Sequence, residues 1–412
     1  MSVLRNERVI REAAAAEAAC AEQFARIDAA AFENSARVLD AFAECRVSDS
    51  HFAGTTGYGY DDAGREVIDR VFARLFGTEA ALVRHSFVNG THAIATALFA
   101  LLRKGDTLLS VTGAPYDTLR QAVTGGHPGS LKSAGVTYKQ VELKPDGSPD
   151  FDAIKANLPG ANAVFIQRSK GYTSRKSLSI ADIKALCGFI KEHSPDVTII
   201  VDNCYGEFCE GMEPTQVGAD VAAGSLIKNP GGGIARGGGY IVGSARQVEL
   251  CADRLTAPGI GLECGATYGF NREILQGLFV APHVVAQAVK TAVFAAALAQ
   301  RLGYDAFPAY DVPRTDIVQE LRFGSEEKLL AFCAGIQAAS PVDSFVTPVG
   351  WAMPGYDCDV VMAAGAFTQG ASIELSCDGP LRPPYTAYLQ GGLTYESGKL
   401  GIISAFSRME GK

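Results

Sequence analysis

The sequence lacks the closely spaced cysteines and histidines that bind metal ions. It has six histidines and ten cysteines in 412 residues, and the cysteines form neither a CxxC pair nor a Cys/His ligand spacing. Zinc sites depend on such spacings, so we expect no metal site. Scattered cysteines in so long a chain are typical of reduced thiols, and we therefore expect a cytoplasmic protein without a disulfide framework.

The sequence also has no excess of positive charge and no long apolar run. Its formal net charge is −8 and its isoelectric point is near 5.4, whereas a protein that binds nucleic-acid backbones needs a basic face. No apolar run reaches the roughly 18–20 residues of a membrane span. The alanine-rich start is charged where a signal peptide has an apolar core. We expect neither a nucleic-acid partner nor a membrane partner.

Three common nucleotide-binding and hydrolase motifs are missing as well. Gly231 and Gly233 begin a GxGxxG-like pattern, but Arg236 occupies the position of the third glycine. No strand–turn–helix frame surrounds that pattern, which a dinucleotide-binding motif requires. The sequence has no GxSxG elbow and no Walker loop either.

Helical and strand-like segments alternate along most of the chain. Residues 1–45 are rich in helix formers, with apolar residues at three- and four-residue intervals. Short strand-like runs such as NAVFIQ and VTIIVDN then alternate with helical stretches. This alternation predicts an α/β domain with a mainly parallel sheet.

The pattern changes after a long apolar helix near residues 282–302, where several strands and a closing helix follow. We therefore predict three segments, which are an N-terminal helical segment (1–50), a large α/β domain (51–290) and a smaller C-terminal α+β domain (291–412).

One lysine lies in a sequence context that does not suit a surface lysine. Lys228 follows the apolar residues Leu226 and Ile227 and precedes a proline–glycine run. Parallel α/β sheets bind ligands outside the carboxyl ends of their strands. The residues that follow strand patterns are therefore the candidates for its neighbours.

Four segments meet that condition. Asp202 closes the strand pattern TIIVD, where it either meets a cation or caps a turn. Gly90 and Thr91 begin a helix whose free N–H groups favour a phosphate, although Thr91 could equally be a simple cap. Tyr116 follows the strand pattern TLLSV, as a stacking platform or a core aromatic. Ser225 lies three residues before the lysine, and its hydroxyl could reach a phosphate.

Together these residues suit pyridoxal 5'-phosphate. A lysine on an apolar wall can form an imine with the cofactor, and we expect desolvation to lower its pKa. An aspartate keeps the pyridine nitrogen protonated, so that the ring accepts electrons from a carbanion. A helix start and a serine hold the phosphate, and a tyrosine stacks on the ring.

From about residue 50 to the C-terminus the sequence resembles the methionine gamma-lyase family proteins, which are also labelled aluminium-resistance or cystathionine beta-lyase-like proteins. The segments that carry the resemblance occur in order and are HFAGTTGYGYDDAGRE, NGTHAIATALF, GAPYDTL, IQRSKGY, VDNCYGEF, AGSLIKNPGGG, LTAPGIG, QGLFVAPHVV, SPVDSFVTP and DGPLRPPY. The resemblance implies a fold-type I, pyridoxal-phosphate-dependent enzyme. It also implies a homo-oligomer, a homotetramer built as a dimer of dimers or at least a dimer, with active sites between subunits.

By that resemblance Lys228 would carry the cofactor, Asp202 would face the pyridine nitrogen and Tyr116 would stack. Gly90, Thr91 and Ser225 would bind the phosphate.

The resemblance also suggests candidates for a residue that reaches the neighbouring subunit and for a residue that binds the substrate. Tyr58 or Tyr60 would reach the neighbouring subunit's phosphate, or else pack at the dimer interface. Arg168 and Arg382 are the candidates for binding the substrate carboxylate, because a guanidinium pairs with it bidentately.

Four positions depart from the pattern that the resemblance leads us to expect. Asn89 replaces a serine, Lys170 an arginine, Arg236 a small or neutral residue and Ala352 an acid. These differences leave the substrate open, including a cystathionine-type one.

The predicted function is β- or γ-elimination on an amino acid, with cleavage of a carbon–sulfur bond. In this reaction Lys228 removes the α-proton, and Lys228 or Tyr116 serves as the acid–base group for a γ-elimination. One alternative is the loss of a halide, which leaves an unsaturated, for example alkynyl, amino acid. The others are an aminotransferase, an aldolase, or a stress-response protein without catalysis.

Overall fold

The computed structural model describes residues 6–353 and 356–411. Two helices come first, α1 (Glu7–Ala19) and α2 (Ala21–Glu44). The prediction of a helical N-terminus is confirmed for the described residues, with a break at Cys20. The large domain adds helices α3 to α8, which are Ala63–Phe76, Gly90–Leu101, Asp117–Thr124, Phe151–Asn157, Ile180–His193 and Ala245–Leu255.

A seven-stranded sheet forms the centre of the large domain. Its strands β1 to β7 are Ala80–Arg84, Thr107–Ser110, Thr137–Gln140, Ala163–Gln167, Thr198–Asp202, Val221–Ser225 and Gly239–Gly243. They lie in the order β1-β7-β6-β5-β4-β2-β3, and only the pairs that involve β7 are antiparallel. Strands β4 and β6 are buried along their whole length, as expected where helices cover both faces. The predicted α/β class with a mainly parallel sheet is confirmed.

One long helix, α9 (Phe270–Arg301), connects the two sheets. It is apolar and long enough to cross a membrane, but 72% of its most apolar 18-residue stretch is buried inside the protein. Its residues pack with α1, α2 and α11 (Tyr395–Met409), which makes it a core helix. The predicted domain boundary at residue 290 falls inside this helix, so the domains are joined by continuous helix rather than by a linker.

The second sheet lies in the C-terminal part of the chain. Its strands β8 to β13 are Asp305–Phe307, Gln319–Arg322, Trp351–Ala352, Asp359–Ala363, Ser376–Pro380 and Thr386–Gln390. All pairs are antiparallel, in the order β10-β11-β12-β13-β9-β8. Helix α10 (Glu326–Ala338) packs on β11 and β12 and on α11. Helices cover one face of this second sheet, so its other face can lie towards the large domain.

Candidate active site

A cavity of about 2060 Å³ opens between the large sheet and the C-terminal domain. The carboxyl ends of β5 and β6, the start of α4 (Gly90–Leu101) and residues of β11 and β12 contribute to its walls. Of the residues predicted from the sequence, the cavity wall contains Gly90, Thr91, Tyr116, Asp202, Ser225, Lys228 and Arg382. The structure therefore brings together side chains that are more than 290 positions apart in the chain.

Lys228 lies just after β6, and its amine is held by two hydroxyl groups. Its Nζ donates to the Tyr205 hydroxyl at 2.7 Å and to Ser372 Oγ at 3.0 Å. Burial lowers the pKa of the Lys228 amine, as predicted, but Tyr205, Cys204 and Asp202 together raise it above its ordinary value. The expected net decrease is therefore wrong for this structure, because the acidic neighbours outweigh desolvation.

Asp202 ends β5 with its carboxylate buried against the cavity wall. The backbone N–H of Cys204 donates to its Oδ1 at 3.1 Å, so it also stabilises the following turn. Burial raises the pKa of Asp202 to about 6, although this hydrogen bond and the charge of Lys228 oppose the increase. At neutral pH the carboxylate is therefore mostly ionised and can pair with a cationic ligand atom.

The start of α4 and the end of β6 lie against each other. A Cβ added at Gly90 would lie 3.1 Å from Ser225 Cβ and 3.2 Å from Cys204 Sγ, so a larger residue there would require these neighbours to shift slightly. Ser225 Oγ is buried and has no hydrogen-bond partner within the described residues. Asn89, rather than Thr91, caps α4 by accepting from the His92 N–H at 2.9 Å. The alternative in which Thr91 is the cap is therefore wrong.

Tyr116 and Thr91 form a hydroxyl pair on the cavity wall, with 2.8 Å between their oxygen atoms. Burial, together with the negative charge of Asp202, raises the pKa of the Tyr116 hydroxyl. The phenol therefore stays protonated at neutral pH. Tyr116 packs against the hydrophobic core and also forms part of the cavity wall, so its stacking on the cofactor stays a prediction.

The two candidate arginines have different surroundings. Arg168 is fully buried outside the cavity wall, and its guanidinium donates to Asn203 at 2.8 Å and pairs with Glu210 at 2.8 Å. Both Nη atoms are used inside the protein, and Nε is buried without a partner among the described residues. The binding of substrate by Arg168 stays a prediction, which its position outside the cavity wall does not favour. Arg382 lies at the cavity wall, with a half-exposed side chain paired with the exposed Asp357 at 2.7 Å.

Tyr58 and Tyr60 lie on the surface rather than in the cavity wall. Their rings stack with centroids 5.7 Å apart, and they are 75% and 59% exposed. Their predicted contact with a neighbouring subunit stays a prediction.

The structure shows what surrounds each of the four residues that depart from the pattern expected from the resemblance. Asn89 is the cap of α4, Lys170 forms a buried salt bridge with Glu320, and Arg236 pairs with Glu273 on the surface. Ala352 is exposed on the short strand β10. Of the four, only Asn89 and Lys170 contribute to the cavity wall.

Sequence reasoning missed Tyr205, Ser372 and Asp378. Tyr205 has a φ of +74°, which a tyrosine rarely adopts, and it follows Asp202 by three residues. That closeness to a candidate residue could have identified it. Ser372 and Asp378 come from the other domain, and no local pattern places them beside Lys228.

The sequence profile described as methionine gamma-lyase matches residues 9–410. The chain belongs to the methionine gamma-lyase family. It is 52% identical over 376 residues to the uncharacterized protein YnbB of Bacillus subtilis. The aligned region covers 90% of this chain and 89% of that protein. A carbon–sulfur lyase involved in aluminium resistance from Clostridium novyi has a similar structure, with a TM-score of 0.95, 48% identity and coverage of 99% and 97% of the two chains. A Bacillus cereus protein gives a TM-score of 0.95, 52% identity and coverage of 97% and 99%.

Members of the methionine gamma-lyase family are pyridoxal-phosphate-dependent lyases of fold type I, so the predicted fold, cofactor and enzyme class are confirmed. The side chains of this family member suit that cofactor. The unpartnered Ser225 hydroxyl and the Gly90 N-terminus suit a phosphate, and the ionised Asp202 suits a protonated pyridine nitrogen. The Lys228 amine, held between two hydroxyl groups of the cavity, suits the nitrogen that would react with the cofactor.

Proposed function

We propose that this lyase cleaves the carbon–sulfur bond of a thioether amino acid. A β-elimination converts R–S–CH2–CH(NH3⁺)–COO⁻ and water into a thiol, pyruvate and ammonium; a γ-elimination on the homologue gives 2-oxobutanoate instead. The bound cofactor supplies the electron sink that stabilises a carbanion at the substrate α-carbon. The remaining steps depend on where protons are held and moved by the chain's own residues.

The placement of Lys228 is the observation that carries the proposal. Its amine lies between the Tyr205 hydroxyl and Ser372 Oγ in the cavity that also contains Asp202. A base held in place by two hydrogen bonds loses little further orientational freedom when it takes a proton from the α-carbon. The raised pKa of Lys228 favours the ammonium form once the proton has been taken.

Tyr116 is the candidate acid for the departing sulfur. Its pKa is raised by burial, so the phenol carries a proton at neutral pH. Thr91 Oγ, 2.8 Å away, fixes the hydroxyl. Protonating the leaving sulfur as the bond breaks releases a neutral thiol rather than a thiolate, which lowers the barrier.

Arg382 is the remaining predicted ligand of the substrate carboxylate. It is a partly exposed guanidinium at the cavity wall, and its partner Asp357 is 80% exposed at the side chain. An exposed ion pair is worth little, so the carboxylate of a substrate can replace Asp357.

We further propose a cytoplasmic homo-oligomer, with a dimer as its smallest unit. The exposed, stacked Tyr58 and Tyr60 support a contact with a second copy, because adjacent exposed aromatic rings are common in interfaces.

The test is product analysis with purified, cofactor-loaded protein and L-cystathionine, L-methionine and S-alkyl-L-cysteines. Equal amounts of thiol, 2-oxo acid and ammonium are expected, and the Lys228→Ala variant should give none. The matched control Lys176→Ala removes a cavity-wall lysine that is 56% exposed at its side chain, and it should keep the activity. Oxo acid without ammonium would indicate transamination, and no product from any of these thioethers would indicate another leaving group; either result would overturn the proposal.

A further inference from the structure

One acidic residue of the cavity wall, which comes from the other domain than Asp202, is not used by the chemistry described above. Asp378 lies on β12, in the C-terminal domain, and is 6% exposed. It contributes to the same cavity wall as Lys228. Its Oδ1 is buried and has no hydrogen-bond partner among residues 6–353 and 356–411.

The alternation of β12 explains why Asp378 faces the cavity. Ser376 and Asp378 contribute to the cavity wall, whereas Cys377, between them, points to helix α10, with its Sγ 3.8 Å from Cys333 Sγ. If β12 served only to cover α10, a buried carboxylate on its other face would cost free energy without any benefit.

Aromatic side chains surround this carboxylate. The Tyr172 hydroxyl donates to Asp378 Oδ2, and Gln390 donates weakly to the same oxygen at 3.4 Å. The ring of Tyr172 lies 5.7 Å from that of Tyr356 and 5.1 Å from that of Tyr388, centroid to centroid. A buried carboxylate with one unused oxygen beside tyrosine rings is the environment that an ammonium group prefers.

The lysine of the active site does not occupy this position. Lys228 Nζ is already hydrogen-bonded to Tyr205 and Ser372, and it acts on Asp378 only through its charge. Burial raises the pKa of Asp378 to about 6, so the carboxylate is mostly ionised at neutral pH. A buried negative charge without a direct cationic partner is costly, and a ligand that supplies the cation would remove that cost.

We propose that Asp378 is a specificity-determining residue that binds a second ammonium group at the distal end of the substrate side chain. The substrates are then diamino acids in which the departing thiol carries the ammonium. The α-amino group cannot fill this role, because it is the group that reacts at the cofactor. This inference rests on the carbon–sulfur lyase activity proposed above.

Binding can be tested without turnover. L-Lysine and L-2-aminoheptanoate are carbon analogues that cannot lose a thiol, and they differ only by an ammonium or a methyl group at the distal end. Calorimetric titration of the cofactor-loaded protein should give a dissociation constant about 10- to 100-fold lower for L-lysine, the range expected for a hydrogen bond to a charged group. Equal or weaker binding of L-lysine would overturn the inference.

Turnover is tested with S-(2-aminoethyl)-L-cysteine against S-propyl-L-cysteine, and with the corresponding homocysteine pair, so that both β- and γ-elimination are covered. The aminoethyl compounds should have the higher kcat/KM by a similar factor. Cleavage of both members at the same rate would overturn the role of Asp378 and leave the lyase activity intact. A binding preference for L-lysine without cleavage of any thioether would instead overturn the proposed reaction.

The variant Asp378→Asn should reduce both ratios to about one, because the amide keeps the shape and the acceptor for Tyr172 but loses the charge. The matched control is Asp343→Asn, which removes the same charge from an exposed residue of the cavity wall and should leave the ratios unchanged. A ratio that survives in Asp378→Asn would overturn the assignment. If that variant does not fold, the comparison of the two carbon analogues on the unmodified protein still decides the question.

Discussion

Lys228 and Tyr205 form a close pair in which the lysine Nζ donates to the tyrosine hydroxyl at 2.7 Å and lies 4.1 Å from the centre of the same ring. Tyr205 has a left-handed backbone conformation with a φ of +74°. Holding a non-glycine residue there costs free energy, of order 1–3 kcal/mol, and such residues cluster at functional sites. The contact with Lys228 is the function that this conformation serves in the proposed mechanism.

Replacing Tyr205 by phenylalanine should lower kcat by about 10- to 100-fold with little change in KM, because the amine loses a hydrogen bond that fixes it. Tyr205 also contributes to the raised pKa of Lys228. The variant should therefore have a lower Lys228 pKa, and its apoprotein should form the covalent link to pyridoxal phosphate faster at about pH 8, where more of the amine is then unprotonated. Stopped-flow absorbance measures the second effect independently of turnover.

The control for that experiment is Tyr138→Phe, which removes a hydroxyl bonded to Gln140 on the far strand β3 (Thr137–Gln140). It should change neither the rate of cofactor loading nor kcat. If Tyr205→Phe behaves in the same way as this control, Tyr205 does not position the lysine.

The phosphate site should depend on two small residues. Ser225→Ala should raise the dissociation constant of pyridoxal phosphate by about 10- to 100-fold, because the hydroxyl bonds a charged oxygen. Gly90→Ala should weaken binding too, since its Cβ would lie 3.1 Å from Ser225 Cβ. Gly188→Ala is the control, because a Cβ there meets no atom of the described residues within 4 Å. Fluorescence titration of the apoproteins measures all three, and wild-type affinity in both site variants would place the phosphate elsewhere.

Much of the large-domain half of the site could be predicted because its residues directly follow recognisable strands or begin a helix. Asp202 and Ser225 are the last residues of β5 and β6, and Gly90 is the first of α4. In a parallel sheet such positions meet at one edge, so topology alone brings them together.

The contribution of the C-terminal domain could not be predicted in this way. The hydrogen bond from Lys228 to Ser372 joins residues 144 positions apart, and it depends on how the second sheet packs on the first. The surroundings of Arg168 could not be predicted for a related reason. A charged residue after a strand resembles a ligand-binding residue, but Glu210, which neutralises it, is 42 positions away. Sequence shows that a charge is present; packing decides which charge meets it.

Cofactor affinity should fall as the pH decreases below about 6. Burial raises the pKa of Asp202 to about 6, so the carboxylate is ionised above this pH and takes up a proton below it. Only the ionised form pairs with a protonated pyridine nitrogen, and the affinity loss is at most about tenfold per pH unit until the pKa of the complex is reached. Titrations between about pH 5 and 8, on either side of the Asp202 pKa, measure this.

The same argument predicts that the variant Asp202→Asn has a more stable apoprotein but binds the cofactor more weakly. The raised pKa means that ionised Asp202 destabilises the folded apoprotein above a pH of about 6, and that this cost decreases as the pH falls towards the unfolded-state pKa. The Asp202→Asn substitution should therefore stabilise the apoprotein at about pH 8, by roughly 1–3 kcal/mol, while weakening cofactor binding and removing its pH dependence. A variant that keeps the wild-type pH dependence would assign the titration to another group.

The two sheets should be held together by the buried pair of Lys170 and Glu320. Lys170 follows β4 and its Nζ lies 2.9 Å from Glu320 Oε2 on β9 (Gln319–Arg322), and both side chains are almost fully buried. Burial lowers the pKa of Lys170 even though Glu320 opposes the change, so forming the pair carries a desolvation cost. Removing one partner leaves the other charge in the interior.

Lys170→Met should consequently reduce the free energy of unfolding by about 3–5 kcal/mol, whereas the double variant Lys170→Met/Glu320→Gln should recover much of the loss because neither charge remains. Lys176→Met, which breaks the exposed pair with Asp182, is the control and should cost less than about 1 kcal/mol. Urea unfolding of the wild-type and variant apoproteins gives these free energies. The double variant could instead be as unstable as the single one. The loss would then come from packing of the lysine stem rather than from an unpaired Glu320. In that case Arg322, 2.8 Å from Glu320 Oε1, would be sufficient to neutralise the Glu320 carboxylate.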